Sequence, residues 1–116
     1  MAGNRQSSIL LENSREFFET GKDCFKKERY NAATDSFFKA IVTLCDFAIY
    51  NKVHALPNDH KERFGMLKAH YPSAYHVVSK LFGIYRRTYN LKASKEDAKL
   101  IREKYEEIAK YFGIEE

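Results

Sequence analysis

The chain has 116 residues, of which 44% are hydrophobic and 15% aromatic, which is enough for one domain with its own core. This apolar content excludes an intrinsically disordered chain, and Asp46 interrupts the longest uncharged stretch, which excludes a membrane-spanning helix. The net charge of +4 favours an anionic partner. Because the N-terminus lacks a basic-then-apolar signal pattern, we expect a cytoplasmic protein.

Two helices open the predicted fold, over Ser8 to Lys27 and over Tyr30 to Asn51, because apolar residues recur there at helical spacing. The second helix carries two apolar stripes about 120° apart. One stripe contains Tyr30, Ala33, Phe37, Ala40, Ile41, Leu44 and Ala48, and the other contains Phe38, Val42, Cys45 and Ile49. Such a helix is buried on two sides, so it either lies at the centre of the bundle or also meets a second subunit.

The two cysteines, Cys24 and Cys45, lie on opposite arms of this predicted hairpin. At about 1.5 Å per residue, their distances from the turn differ by roughly 18 Å, which is too far for a disulfide. We therefore expect two free cysteines that serve as small apolar core residues.

The third helix is predicted to begin near His60, after the loop "KVHALPND", because Asp59 and Glu62 have capping-box spacing. Pro72 ends that helix and begins the fourth, which we expect to run to Asn90. The core stripe of the fourth helix contains Ala74, Val78, Leu81, Phe82, Tyr85 and Tyr89.

The fifth helix follows the loop "NLKAS", with a cap formed by Ser94 and Asp97 and a stop at Gly113. Its core face contains Ala98, Ile101, Tyr105, Ile108, Ala109 and Phe112. Because the connections are short, the sequence predicts an all-α, five-helix antiparallel bundle in a single domain over residues 1–116.

The segment "GKDCFKKERYNAATDSFFKAI" resembles one tetratricopeptide repeat. Small residues such as Gly21 let two antiparallel helices approach, and aromatic residues such as Phe37 fill the space between them. A repeat array needs about three units with a period of about 34 residues, and the segment "ALPNDHKERFG" at that distance does not match. The pattern therefore predicts one hairpin of this type, with a protein-interaction adaptor as an alternative function.

The order of features along the whole chain resembles the HEPN (higher eukaryote and prokaryote nucleotide-binding) domain family. The features are "ERYNAATDSFFKAI" in the hairpin, the short helix "DHKERFGML", the helix end "YRRTYN" and the capped start "SKEDAKLI". The resemblance implies a homodimer with a site near the subunit interface, no cofactor, and a nucleotidyltransferase-type protein as a possible partner.

The family includes metal-independent ribonucleases and toxins as well as non-catalytic members. In the active members an Arg that supports the phosphate is followed roughly four to six residues later by a His that moves a proton. Here no His follows Arg86 and Arg87. The resemblance therefore implies a non-catalytic or weakly catalytic module that binds nucleotide or RNA.

The polar face of the fourth helix contains the predicted phosphate-binding residues, Arg86 and Arg87, with Lys80 and Asn90 in support. Gly83 lies on the same face, where a mid-helix glycine costs about 1 kcal/mol relative to alanine. Close approach of a ligand, another helix or a second subunit is a reason to have glycine there.

A ribonuclease remains the enzymatic alternative, with Arg63 and His70 on one face of the third helix, or with His76 and Arg87 meeting across a subunit interface. None of the four histidines lies three or four residues from another, and no cysteine joins them, so no metal site is expected.

Overall fold

The computed structural model of the protein describes residues 2–114, and the side chains of residues 5–114. Five α-helices make up this part of the chain, and no strand occurs in it, so the predicted all-α five-helix bundle is confirmed. The helices are α1 (Ala2–Lys26), α2 (Tyr30–Val53), α3 (His60–His70), α4 (Pro72–Arg87) and α5 (Lys95–Tyr111).

Helix α2 is the central element of the bundle. It packs against each of the other four helices, and twelve of its 24 residues are buried. Both predicted apolar stripes are buried in this way, apart from Tyr30, which is partly buried. The double stripe therefore reflects a central position in the bundle and requires no second subunit.

The α1–α2 hairpin depends on a close approach at Gly21. A Cβ atom at this position would lie 2.5 Å from Cδ1 and Cε1 of Phe37, a ring that is itself fully buried. Nearby, the buried hydroxyl of Ser14 donates a hydrogen bond of 2.7 Å to the carbonyl oxygen of Ala40. Glycine is thus required where the helices touch, as the tetratricopeptide-like pattern indicated.

The caps of α3 and α5 differ in completeness. Ser94 and Asp97 form both hydrogen bonds of a capping box at the start of α5. At α3 the Asp59 carboxylate accepts from the backbone N–H of Glu62 at 2.8 Å, but the Glu62 carboxylate accepts from the side-chain amide of Asn58. The predicted N-cap is therefore present at α3, whereas only half of the predicted capping box forms.

Three helix boundaries differ from the sequence prediction by two residues or more. Helix α1 begins at Ala2 and not at Ser8. Helix α2 continues to Val53, and His54 ends it in the left-handed region at φ 58°. Helix α4 ends at Arg87 and not at Asn90. Just beyond this end, the hydroxyl of Thr88 donates a hydrogen bond of 2.7 Å back to the carbonyl oxygen of Tyr85.

The early end of α4 corrects the prediction that Tyr89 belongs to the core. Tyr89 lies in the turn beyond the helix and is 72% exposed, whereas Tyr85 is buried as predicted. The helical stripe that joins the two residues in the sequence does not continue past Arg87. A hydrogen bond of 2.7 Å still links the two hydroxyl groups, and burial together with this bond raises the pKa of Tyr85.

The two cysteines are free, as predicted, with Cys45 buried and Cys24 partly buried. Burial raises the pKa of the Cys45 thiol, so this residue acts as a small apolar core group. Across residues 2–114, every helix is too short or too polar to cross a membrane.

Candidate functional site

A shallow depression of about 290 Å³ lies at the end of α4. Its lining residues are Gly83, Arg86, Arg87, Asn90 and Leu91. Three of the four predicted phosphate-binding residues thus surround one space. The fourth, Lys80, is exposed seven residues before Arg87, about 10 Å away along the helix axis, and does not line the depression.

The two arginines point outward because the opposite side of this helix turn is fixed in the core. The ring of Tyr85 stacks on that of Phe38, with centroids 4.5 Å apart and an interplanar angle of 15°. The guanidinium carbon of Arg86 lies 5.7 Å from the centre of the Phe82 ring, within the range of a cation–π contact. Both arginine side chains remain exposed at the surface.

Arg87 lies near the carboxylate of Asp97. Its Nη2 lies 4.0 Å from Oδ1 of Asp97, the residue that also completes the α5 capping box. The Arg87 side chain is 57% exposed, and an ion pair at this distance and exposure contributes little. Most of the hydrogen-bonding capacity of the guanidinium group therefore faces water.

Asn31, near the start of α2, holds the loop that follows α4. Its side-chain amide donates to the carbonyl oxygens of Thr88 at 3.4 Å and Leu91 at 3.2 Å. Its side-chain oxygen accepts from the backbone N–H of Ala93. The loop that carries Asn90 is thus fixed to the α1–α2 hairpin. Residue spacing could not predict this contact, because Asn31 and the loop are about sixty residues apart in the sequence.

Gly83 has open space above it. A Cβ atom added there would have no neighbour within 4 Å beyond the helix itself. Close approach of another helix of this chain, one of the three explanations considered for this glycine, therefore does not apply. A mid-helix glycine remains on the wall of the depression without a packing requirement from its own chain.

Arg63, a candidate for the ribonuclease alternative, is engaged elsewhere. Its guanidinium group bonds both carboxylate oxygens of Asp46, with Nε–Oδ1 at 2.7 Å and Nη2–Oδ2 at 2.9 Å. Burial is the largest single effect and lowers the pKa of the Arg63 guanidinium, but the hydrogen bond to Asp46 and the negative charges around it together raise this pKa above its ordinary value. The ion pair joins α3 to α2, and no spacing pattern in the sequence indicates that Asp46 is the partner of Arg63.

His60, rather than His70, is the histidine beside Arg63. Nδ1 of His60 lies 2.9 Å from Nη1 of Arg63, which fixes Nδ1 as an acceptor. The imidazole packs among aromatic rings, with the Phe82 centroid at 5.0 Å and that of Phe64 at 6.1 Å. Burial first, and then the charge of Arg63, lowers the pKa of His60.

The other histidine candidates lie apart from their proposed partners. His70, the last residue of α3, lies about 10 Å along the axis from Arg63. His76 is exposed near the start of α4, about 16 Å along the axis from Arg87, so these two could meet only between two chains. Within residues 2–114 no three His, Cys, Asp or Glu side chains gather in a way that could hold a metal ion.

The fold and the depression define the protein as a five-helix, all-α bundle with a basic surface at the end of α4. Comparison of the chain with protein-family models, with curated proteins and with solved structures gave no match.

Proposed function

We propose that this protein is a non-catalytic, HEPN-like module that binds the phosphate group of a nucleotide or of RNA at the end of α4. The observation that carries the proposal is the convergence of Arg86, Arg87 and Asn90 on one depression. Planar guanidinium groups make paired hydrogen bonds to phosphate oxygens, and the Asn amide adds a neutral donor. The site therefore suits a small oxyanion that accepts paired hydrogen bonds.

Two exposed apolar side chains, Tyr89 and Leu91, flank Asn90 in the sequence. They are 72% and 61% exposed, and Leu91 lines the depression itself. An exposed aromatic ring beside basic residues can stack on a nucleobase, which contributes about 1–3 kcal/mol per base. This feature favours a nucleoside phosphate over inorganic phosphate.

The geometry gives the ribonuclease alternative less support. Arg63 is held in an ion pair whose side chains are only 13% and 14% exposed, so it is not free to support a phosphate. The other pair, His76 and Arg87, could meet only between two chains, so binding without cleavage is the better-supported function. The homodimer and the nucleotidyltransferase-type partner belong to the proposal through the family resemblance.

A thermal-shift titration with pyrophosphate, UMP and a short RNA tests the proposal. A ligand at about 100 times its Kd stabilises the folded state by about 2.7 kcal/mol. For a domain of this size that corresponds to several degrees in Tm. We expect the shift with UMP and RNA to disappear in Arg86→Ala/Arg87→Ala.

The matched control is Lys61→Ala/Lys110→Ala, which removes the same charge from exposed positions on α3 and α5. It should keep the wild-type shift. If none of the three ligands shifts the Tm of the wild-type protein, or if the control loses the shift as fully as the arginine variant, the proposed site is wrong.

A further inference from the structure

Two more depressions lie at the same end of the bundle as the α4 site. The first, of about 450 Å³, is lined by residues 28–32 together with Lys92 and Ala93. The second, of about 250 Å³, is lined by Phe25 and by the α5 residues Lys95, Lys99, Arg102, Glu103 and Glu106.

The three depressions are neighbours on the surface. Leu91 lines the α4 depression and Lys92 lines the next one, and these residues are consecutive, so their Cα atoms are about 3.8 Å apart. Tyr30, in the middle depression, contacts Phe25, in the third, edge to face with ring centres 5.5 Å apart. The three depressions therefore lie in a row, divided by the loop at residues 91–92 and by the Phe25–Tyr30 ring pair, and we call this row the track.

Asn31 holds the loop that borders the α4 depression and the middle depression. It lines the middle depression, and its side chain bonds the loop at Thr88, Leu91 and Ala93. The loop that separates the α4 depression from the middle one is thus fixed to α2. A ligand that crosses this loop meets a surface that is already ordered.

Charge follows the same track. Seven basic and three acidic side chains line the three depressions, an excess of four that equals the net charge of the whole chain. In the middle depression, Arg29 and Lys92 are both exposed and outnumber the single carboxylate of Glu28. Positive charge spaced along a groove suits a ligand with several phosphates in a row.

We propose that the ligand is a single-stranded nucleic acid of several nucleotides that crosses the loop after α4, and that Arg29 and Lys92 bind a second phosphate of that strand. This inference rests on the proposed function, because the first phosphate occupies the Arg86–Arg87 depression. It adds a second subsite and excludes a mononucleotide as the complete ligand.

The test compares UMP with a fluorescein-labelled uridine octanucleotide on the full chain, over a series of salt concentrations. The variants are Arg29→Ala/Lys92→Ala, Arg86→Ala/Arg87→Ala and the control Lys61→Ala/Lys110→Ala. For Arg29→Ala/Lys92→Ala we expect unchanged UMP affinity and weaker octanucleotide binding. The slope of log K against log salt concentration should become shallower by about 0.7, because one single-strand phosphate contact is lost.

Different binding results would overturn the two proposals. If Arg29→Ala/Lys92→Ala binds the octanucleotide with wild-type affinity and slope while the Arg86/Arg87 variant does not, the second subsite is wrong and the first stands. If neither variant affects binding, or the wild-type protein binds no octanucleotide, both are wrong. Equal affinity for an acidic octapeptide would overturn the assignment of the ligand as nucleic acid.

Discussion

The guanidinium group of Arg63 and the carboxylate of Asp46 form a two-point ion pair between α3 and α2. The two side chains are 13% and 14% exposed. Helix α3 has 11 residues, and Leu67 is its one fully buried apolar side chain. The position of α3 therefore depends on this pair as well as on apolar packing.

Removing one member of the pair should destabilise the protein strongly. Arg63→Met leaves the Asp46 carboxylate partly buried without a counter-charge, and we expect a loss of about 3 kcal/mol in the free energy of unfolding. The double variant Asp46→Leu/Arg63→Met should recover most of this loss, because neither charge remains. Urea denaturation measures both.

The control for this experiment is Lys39→Met, which breaks an exposed ion pair with Asp35 on α2. It should change the free energy of unfolding by less than about 1 kcal/mol. A single Arg63→Met variant as stable as the control would show that the pair does not hold α3.

The stability of the protein should depend on the protonation of His60. The pKa of His60 in the folded protein lies below the ordinary value of 6.5, so the unfolded chain binds the proton more readily. The contribution of the neutral His60 imidazole to stability is therefore fully present above about pH 6.5 and is lost as the pH falls further. Burial and the positive charge of Arg63 disfavour protonation of His60. The negative charges of Asp46 and Asp59 favour protonation, but less strongly.

The pH effect is measured as the difference between wild type and His60→Gln in the free energy of unfolding from pH 7.5 to 5.5. We expect the wild-type protein to lose more stability over this range than His60→Gln. His76→Gln, at an exposed position on α4, provides the matched control and should follow the wild type. Parallel curves for wild type and His60→Gln would contradict the account of this imidazole.

Gly21 and Gly65 should respond to alanine in opposite directions. Alanine gains about 1 kcal/mol of helix propensity over glycine at each position. At Gly21 the new methyl group meets the Phe37 ring at 2.5 Å, and overpacking of about 1–3 kcal/mol should make the variant less stable. Gly65→Ala, with nothing within 4 Å, should raise the free energy of unfolding, and thermal denaturation distinguishes the two.

Gly83→Ala should separate stability from binding. The free protein has room for the methyl group, so we expect a gain of up to about 1 kcal/mol, as for Gly65→Ala. The same methyl group narrows the depression, so the affinity for UMP should fall in Gly83→Ala and stay unchanged in Gly65→Ala. Equal UMP affinities in both variants would place the ligand away from Gly83.

Most of the fold could be predicted from the sequence because its signals are local. The apolar period gives the helices, Asp59 and Ser94 give two starts, and the double stripe on α2 is buried as a central helix requires. The end of α4 could not be predicted in this way, because Asn31 binds the loop from a distant part of the chain. The helical stripe places Tyr89 in the core only if α4 continues to it, and α4 ends before this residue.

For the candidate site, residue spacing predicts only contacts between residues that are close in the sequence. Arg86 and Arg87 lie in the last turn of α4, and Asn90 reaches the same depression from the loop that Asn31 holds, whereas Lys80 lies two turns before Arg87 and falls outside it. The pairing of Arg63 with Asp46 joins two helices and depends on the tertiary arrangement, so it has no counterpart in the spacing of either residue.

The most direct test of the central claim is a two-dimensional ¹H–¹⁵N NMR titration of the protein with UMP. Binding at the end of α4 predicts shifts that saturate and cluster on the amides of Gly83, Arg86, Arg87, Asn90 and Leu91. The account is contradicted if UMP leaves these amides unchanged, or if the shifts cluster instead on the Asp46–Arg63–His60 region.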